Sequence, residues 1–445
     1  MNVFQTIVHT FRQGDFRTKA SFAVMGFGQL VRGQAMSGLA FLGAEVLYIW
    51  WMALYGCWYL ARLTTLGTVE TLRINRQTIY GDNSFQILLF GLVTLLATMA
   101  FIVLWYRNIL ENAREEDLLK KNLPLPNSRD QFRALTDRKL SGTLLFLPTL
   151  GIFLFTVVPI LFMICVAFTN YDAQHQPPAK LFSWVGLENF GALFQSGGAG
   201  YAATFRSVLL WTIVWAILAT FLNYYLGIFV ALLIGKKGIR FKPFWRTIFV
   251  MTIAVPQFVS LLYVSQLFTS DGLVNGALKK AGLIAKSIPF WSDPSLARLM
   301  VVLINIWIGV PYMMVIATGI LENIPKSLYE SAAMDGANAW QRFRYITMPF
   351  MRFVTGPFLL TQFIGNLNNF NVIYLLTGGG PFSASRAQNA GYTDLLVTWL
   401  YKMTVNNANY RMASVIGVIV FILTAVVTLS VYRILPSVRE ENIYS

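Results

Sequence analysis

Eight stretches of this chain run for more than twenty residues with almost no charge: Ala35–Leu60, Phe85–Tyr106, Leu144–Phe168, Leu209–Ile234, Phe244–Phe268, Ala297–Leu321, Val354–Leu376 and Ala413–Ile434. Each is long enough to cross about 30 Å of hydrocarbon as a helix. Backbone inside lipid must satisfy its own N–H and C=O groups, so only helices or closed barrels span. The ten-residue alternation of barrel strands is absent. The expected fold is therefore all-α: a polytopic membrane protein with eight transmembrane helices. Composition agrees, since 56% of the 445 residues are hydrophobic and only 12% are charged, about half the usual charge of a globular chain. That excludes an ordinary soluble enzyme, a disordered protein and a secreted disulfide scaffold. Phe22–Leu30 is apolar but too short to span, and reads as an interfacial or re-entrant helix. The first twenty residues lack the apolar core of a cleavable signal peptide.

The net charge of +15 would suggest nucleic acid in a soluble protein. Here the basic residues alternate with the spans, and no nucleic-acid partner is expected. Arg107 to Lys139 holds eight Lys and Arg, among them Lys120, Lys121, Arg133 and Arg138. The turn around the start of the fifth span holds Lys236, Lys237, Arg240, Lys242 and Arg246. The segment after the third span holds only Lys180 and Arg206. Over alternate segments, 23 of the 35 basic residues fall on one side and 12 on the other. Basic residues are retained on the cytoplasmic side, so both termini are expected there, in a multi-pass protein of the bacterial cell membrane.

Two parts follow from the punctuation. Residues 1–140 form a two-span unit closed by a charged connector with Pro124 and Pro126, and residues 141–445 form a six-span core. No G-x-x-x-x-G-K-[ST] loop is present to cradle phosphates. His9 and His175 are isolated, so no metal site is expected, and Cys57 and Cys165 sit in apolar runs. No carboxylate pair suggests catalysis. Gly378-Gly379-Gly380 before Pro381 reads as a loop that ends a helix. Glu45 is the clearest ionisable group within a span; a hydrogen bond to a neighbouring helix explains it better than proton coupling, which calls for several such groups.

Polar residues left inside the late spans are more informative. The sixth span carries Trp307-Ile308-Gly309-Val310-Pro311-Tyr312, and Pro311 should kink it and free carbonyls. The seventh carries Gln362, Asn366 and Asn369 at i, i+4 and i+7, one helical face. Amides in a membrane helix need partners or water. Interhelical hydrogen bonding would account for an isolated pair. Three amides beside Trp307 and Tyr312 favour a polar cavity, with the aromatic faces and amides that suit a sugar.

Between the sixth and seventh spans, residues 322–350 read as a short helix, a break at Gly336 and a second helix. Pro325 and Ser327 suit the first helix start. Trp340, Phe343 and Ile346 give the second an apolar stripe. Residue types alone leave two readings open: a linker lying on the membrane, or a knob that docks in a partner's groove.

The pattern Glu330-Ser331-Ala332, Asp335-Gly336-Ala337, Ile346-Thr347-Met348-Pro349 resembles the EAA loop of binding-protein-dependent ABC importer permeases. That loop reads E-A-A, three residues, G, nine residues, I, one residue, L-P; Ser331 and Met348 depart from it, and the glycine spacing is kept. Trp184-Val185-Gly186-Leu187-Glu188-Asn189-Phe190 and Asn369 to Pro381 resemble segments of the sugar importers. Ala390-Gly391-Tyr392-Thr393-Asp394-Leu395-Leu396 is similar to the MalF-type maltose/maltodextrin permeases. The resemblance covers roughly residues 140–445; the leading two spans fit members with extra N-terminal helices.

The resemblance implies a permease subunit, not an enzyme, of an importer for maltodextrin or maltose. Another oligosaccharide (a galacto-oligosaccharide or cyclodextrin) is the alternative, and a secondary sugar transporter a more distant one. It implies a second related permease, a cytoplasmic ATPase dimer that binds the ATP, an extracytoplasmic sugar-binding protein, and no cofactor on this chain. It implies that Glu330, Ala332, Ala333, Asp335, Gly336 and Ala337 couple to the ATPase. The family's sugar-lining positions map onto Trp307, Ile308, Gly309, Tyr312, Gln362, Gly365, Asn366 and Asn369. Some members carry an aromatic at the position of Gly365; its absence would widen the site toward longer α-glucans. The short segment from Asp172 to Arg206 lacks the large periplasmic insertion of some Gram-negative members, which points to a host without an outer membrane.

Overall fold

The computed structural model describes residues 3–74, 77–194, 201–236 and 238–434. Lys237 and both chain ends, on which part of the charge reading rests, lie outside the described residues. Apart from an antiparallel hairpin of Leu72–Ile74 and Gln77–Ile79, the regular structure is helical. Among the described residues, six helices are long and apolar enough to cross a membrane: Ala35–Arg62, Ser84–Lys120, Leu140–Val166, Tyr201–Gly235, Pro294–Glu322 and Tyr410–Arg433.

The two remaining stretches are helical but broken. The expected fifth span is a pair, Lys242–Ala254 and Gln257–Leu267, bent by 89°. Pro256 stands at the corner, and Val255 before it is extended (φ −80°, ψ 127°). Proline excludes helical backbone from its predecessor and donates no hydrogen bond, so the helix stops one residue early. The expected seventh span is Met348–Leu367 followed by Phe370–Thr377, and neither piece is among the six; Arg352, Gln362 and Asn366 all lower the apolarity of the longer one. Asn369 begins the second piece, its side-chain oxygen accepting from Val372 N at 3.2 Å.

The chain forms two compact units, Met1–Gly186 and Leu187–Ser445. In the first, the short helices Val3–Gln13, Phe16–Ala20 and Phe27–Val31 belong with the long helix Ser84–Lys120. Arg32 is fully buried and donates to Asp15 Oδ1 (3.0 Å), Thr18 Oγ1 (2.8 Å) and Asn112 Oδ1 (3.0 Å). Asn108 and Asn112 complete this polar knot from the long helix. Glu45 Oε2 accepts from Met25 N at 2.7 Å, a structural use of that carboxylate. Phe22–Leu30 is therefore a turn plus the one-and-a-half-turn helix Phe27–Val31. A π-turn at Phe153–Val157 precedes Pro159; widening the helix there relieves the clash of the proline ring with the carbonyl four residues back.

In the second unit, helices Tyr201–Gly235 and Pro294–Glu322 pack along their length. Two apolar cores lie along them. One joins Trp215, Leu261, Val301, Ile304, Val372, Ile373 and Leu376; the other joins Tyr224, Ile228, Met313, Met314, Met348 and Met351. On Pro294–Glu322 the first core is met at 300–304 and the second at 313–317. Between them, Asn305, Trp307, Ile308, Gly309 and Tyr312 face a cavity.

The helices approach closely at Gly227. A Cβ there would press on the Met313 side chain and come within 3.0 Å of the Met313 carbonyl carbon. Overpacking against a backbone costs about 1–3 kcal/mol. Gly227→Ala is expected to lower the thermal midpoint of the purified protein by several degrees. Gly235→Ala on the same helix, where a Cβ meets nothing within 4 Å, should not. Equal midpoints for the two variants would refute the close approach.

Candidate functional site

The gap between the two apolar cores is a cavity of about 630 Å³, a size typical of small-molecule sites. Its walls come from the bent pair, the middle of Pro294–Glu322 and the break after Met348–Leu367. Trp307, Ile308, Gly309, Tyr312, Gln362, Asn366 and Asn369 all line it. Gly365 does not: it is exposed, and a Cβ there would meet nothing within 4 Å. The helix break also changes how the amides converge. Gln362 and Asn366 stand on one helix, whereas Asn369 caps the next; Asn369 reaches the cavity as a cap residue, not along a continuous face.

The two rings present large open faces, Trp307 at 49% exposure and Tyr312 at 46%. Asn366 donates to Thr220 Oγ1 at 3.0 Å and accepts from Asn369 Nδ2 at 3.4 Å. One side of this amide pair is thus tied to a neighbouring helix, so interhelical bonding and cavity lining coexist. Five polar residues on the wall were missed in the sequence: Asn223, Thr252, Gln257, Ser260 and Asn305. Asn223 Oδ1 and Asn305 Nδ2 are buried and have no hydrogen-bond partner among the described residues. A buried amide atom without a partner costs about 1–3 kcal/mol, a cost carried here by two residues of the cavity wall. Their signal was available: each is a lone amide inside an apolar span. The Asn223 amide lies against Gly309, where a Cβ would strike it. Pro311 sits within Pro294–Glu322 next to this wall. The resulting surface offers aromatic faces, amide donors and acceptors, and no charged side chain in its lining: it can hold a neutral, hydroxyl-rich molecule.

A second feature lies past the other core. Helix Lys326–Met334 follows Pro325 and ends in a Schellman motif: Ala337 N donates to Ala332 O (2.9 Å) and Gly336 N to Ala333 O (3.1 Å). Gly336 takes φ +78°, which glycine adopts without the cost a Cβ brings. Asn338 then caps Ala339–Arg342 through a capping box with Gln341. A π-turn at Phe343–Thr347 precedes Pro349, and Tyr329 Oη bonds Thr347 Oγ1 at 2.9 Å across the loop. The apolar stripe divides at this point: Phe343 packs on the core, and Trp340 stays 65% exposed. Glu330, Ala333, Asp335 and Gly336 are exposed, and Ala332 and Ala337 half-buried. Among the described residues no ion pair involves Glu330. Met334 is 82% exposed beside it.

Comparison with known proteins adds the following. The family model described as binding-protein-dependent transport system inner membrane component matches residues 224–440. The galactooligosaccharides transport system permease protein GanP of Bacillus subtilis (strain 168) is 36% identical over 427 residues, covering 94% of this chain and 97% of that protein. The maltodextrin transport system permease protein MalC of Streptococcus pneumoniae serotype 4 is 32% identical over 432 residues, covering 94% and 96%. Among solved structures, a bacterial ABC transporter involved in the import of the acidic polysaccharide alginate shares the fold. Its TM-score is 0.52 at 20% identity, over 68% of this chain and 97% of the matched one.

Proposed function

The chain belongs to the family of binding-protein-dependent transport system inner membrane components, and from that premise we propose that it is the permease subunit of an ABC importer carrying an oligosaccharide, a maltodextrin, into the cytoplasm. The uncharged cavity of amides and open aromatic faces carries the reading: it suits a sugar's hydroxyls and C–H faces. Trp307 and Tyr312 offer the faces. Gln362, Asn366 and Asn369, with Asn223 and Asn305, offer the hydrogen bonds. A galacto-oligosaccharide is the second reading, favoured by the 36% identity to the galactooligosaccharide permease.

In this proposal the chain hydrolyses nothing. A second permease completes the pathway, and a cytoplasmic ATPase dimer grips the helix Lys326–Met334 through Glu330 and the small residues that follow. A binding protein delivers sugar from outside, with both termini of this chain in the cytoplasm. Closure of the ATPase pair moves the coupling helix and shifts the permease between inward- and outward-facing states, because the partners bind those states unequally.

The test reconstitutes the chain with its partner subunits in proteoliposomes and measures uptake of α-1,4-glucans and β-1,4-galactans. Asn366→Ala combined with Asn369→Ser removes both amides, while serine preserves the helix cap whose loss would cost about 1 kcal/mol. Uptake is expected to fall about tenfold or more with assembly intact, as two lost hydrogen bonds imply. Unchanged uptake and sugar dependence would return the amides to interhelical bonding.

A further inference from the structure

A second cavity, about 600 Å³, lies past the Val372–Leu376 side of the core and is lined by Tyr374, Gly378, Phe382, Asn389, Lys402 and Asn406. Its chemistry resembles that of the first, with the addition of Lys402, whose charge is paired with Asp394. Phe382 is 60% exposed, and Asn389 and Asn406 are exposed amides. Aromatic face and amide donors again suit a neutral polyol.

The walls are preformed. Asp394 is fully buried and accepts from Gly391 N (2.6 Å), Thr398 Oγ1 (2.8 Å) and Lys402 Nζ (2.6 Å). Lys402 Nζ also stands 4.5 Å from the centre of the Phe382 ring and fixes its pose. Thr393 Oγ1 donates to Gly380 O at 2.6 Å, and Arg386 Nη1 to Gly391 O at 2.8 Å. Gln388 and Asn389 both hold left-handed backbone, φ 51° and 54°, which costs energy in residues with a Cβ. Gln388 is pinned by hydrogen bonds to Tyr201 (2.7 Å) and Asn407 (2.8 Å), while Asn389 lines the cavity. Strain is thus held in place where an amide meets open space.

Position links the two cavities. Asn369 lines the first and caps helix Phe370–Thr377; Tyr374, on that helix, lines the second. Five residues of helix rise about 7.5 Å, so one helix contributes a residue to each lining within about that distance along its axis.

We propose that this second cavity is an entry subsite that holds the outlying units of an oligosaccharide whose other units occupy the central cavity. The proposal rests on the sugar-importer reading, and its test separates the two. In the full complex, with Cys57 and Cys165 replaced by serine, Asn389→Cys is labelled with a membrane-impermeant maleimide. Labelling is done in the presence of the di- or hexasaccharide of whichever series drives uptake. The hexasaccharide is expected to slow labelling about threefold or more and the disaccharide not. In parallel, Phe382→Ala should reduce hexasaccharide uptake about fivefold relative to disaccharide, as loss of one aromatic contact implies. Protection by both sugars or by neither overturns the subsite, even where the Asn366 and Asn369 variants abolish uptake and the importer reading stands. Normal uptake in those central variants returns the amides to interhelical bonding, whereas absence of sugar uptake by the wild-type complex overturns the importer reading and the subsite with it.

Discussion

Lys402→Met is expected to destabilise the second unit by about 3–5 kcal/mol, the usual cost of leaving one member of a buried ion pair alone. Asp394 is fully enclosed and the Lys402 side chain is 5% exposed. Burial pushes the Asp394 carboxyl up and the Lys402 ammonium down, so each depends on the other to stay charged. Without the ammonium, Asp394 keeps only Gly391 N–H and Thr398 Oγ1, and its pKa rises further. The sign of the pH dependence follows. A carboxyl whose folded pKa lies above its unfolded value favours the folded state at low pH, and that advantage is lost as pH rises through the folded pKa. The variant should therefore recover stability on acidification from neutral pH toward pH 4. Adding Asp394→Asn should restore much of the loss at neutral pH, because no lone charge then remains. Thermal unfolding of the purified variants reads all three. A wild-type midpoint for Lys402→Met would show that the pair does not anchor the loop.

That pair also marks where sequence reading stops. Asp394 was visible only as part of the Ala390–Leu396 resemblance, and nothing in the spacing announced Lys402. Eight residues apart, the two are joined across a helix start at Leu396 and a π-turn at Lys402–Asn406. No simple period predicts such a contact. The six continuous helices were legible because lipid leaves one solution for a long apolar run. The bend at Pro256 and the break at Asn368 were not, because apolarity alone reports length and not continuity. The cavity was legible wherever polar residues clustered in sequence, as at 307–312 and 362–369. Asn223 and Asn305 contribute single amides from separate helices, and only packing unites them. The Schellman turn at Gly336 was half visible: the glycine was read as a break, and the structure supplies its hydrogen bonds.

Glu330→Lys is expected to abolish coupling while leaving the fold intact. The side chain is exposed and forms no ion pair among the described residues, so reversing its charge removes nothing inside this chain. Any effect must come through a partner. The helix that carries it ends in the Schellman motif and is tied by Tyr329 Oη to Thr347, next to the start of Met348–Leu367, the helix that brings Gln362 and Asn366 to the cavity. Exposed Met334 and Trp340 flank it with apolar surface, the mixture of charge and large hydrophobes found at the centre of docking sites. Truncating one side of an interfacial charge pair commonly weakens binding about thirtyfold or more, and charge reversal adds repulsion. The variant should lose co-purification of the ATPase subunit, or keep it and lose sugar-stimulated hydrolysis, while Glu330→Gln falls between. Gly336→Ala separates geometry from charge: it strains the turn at φ +78° without touching Glu330, and should weaken coupling less than the reversal. Wild-type co-purification together with wild-type stimulation in Glu330→Lys would remove the docking role and return this segment to a linker on the membrane surface.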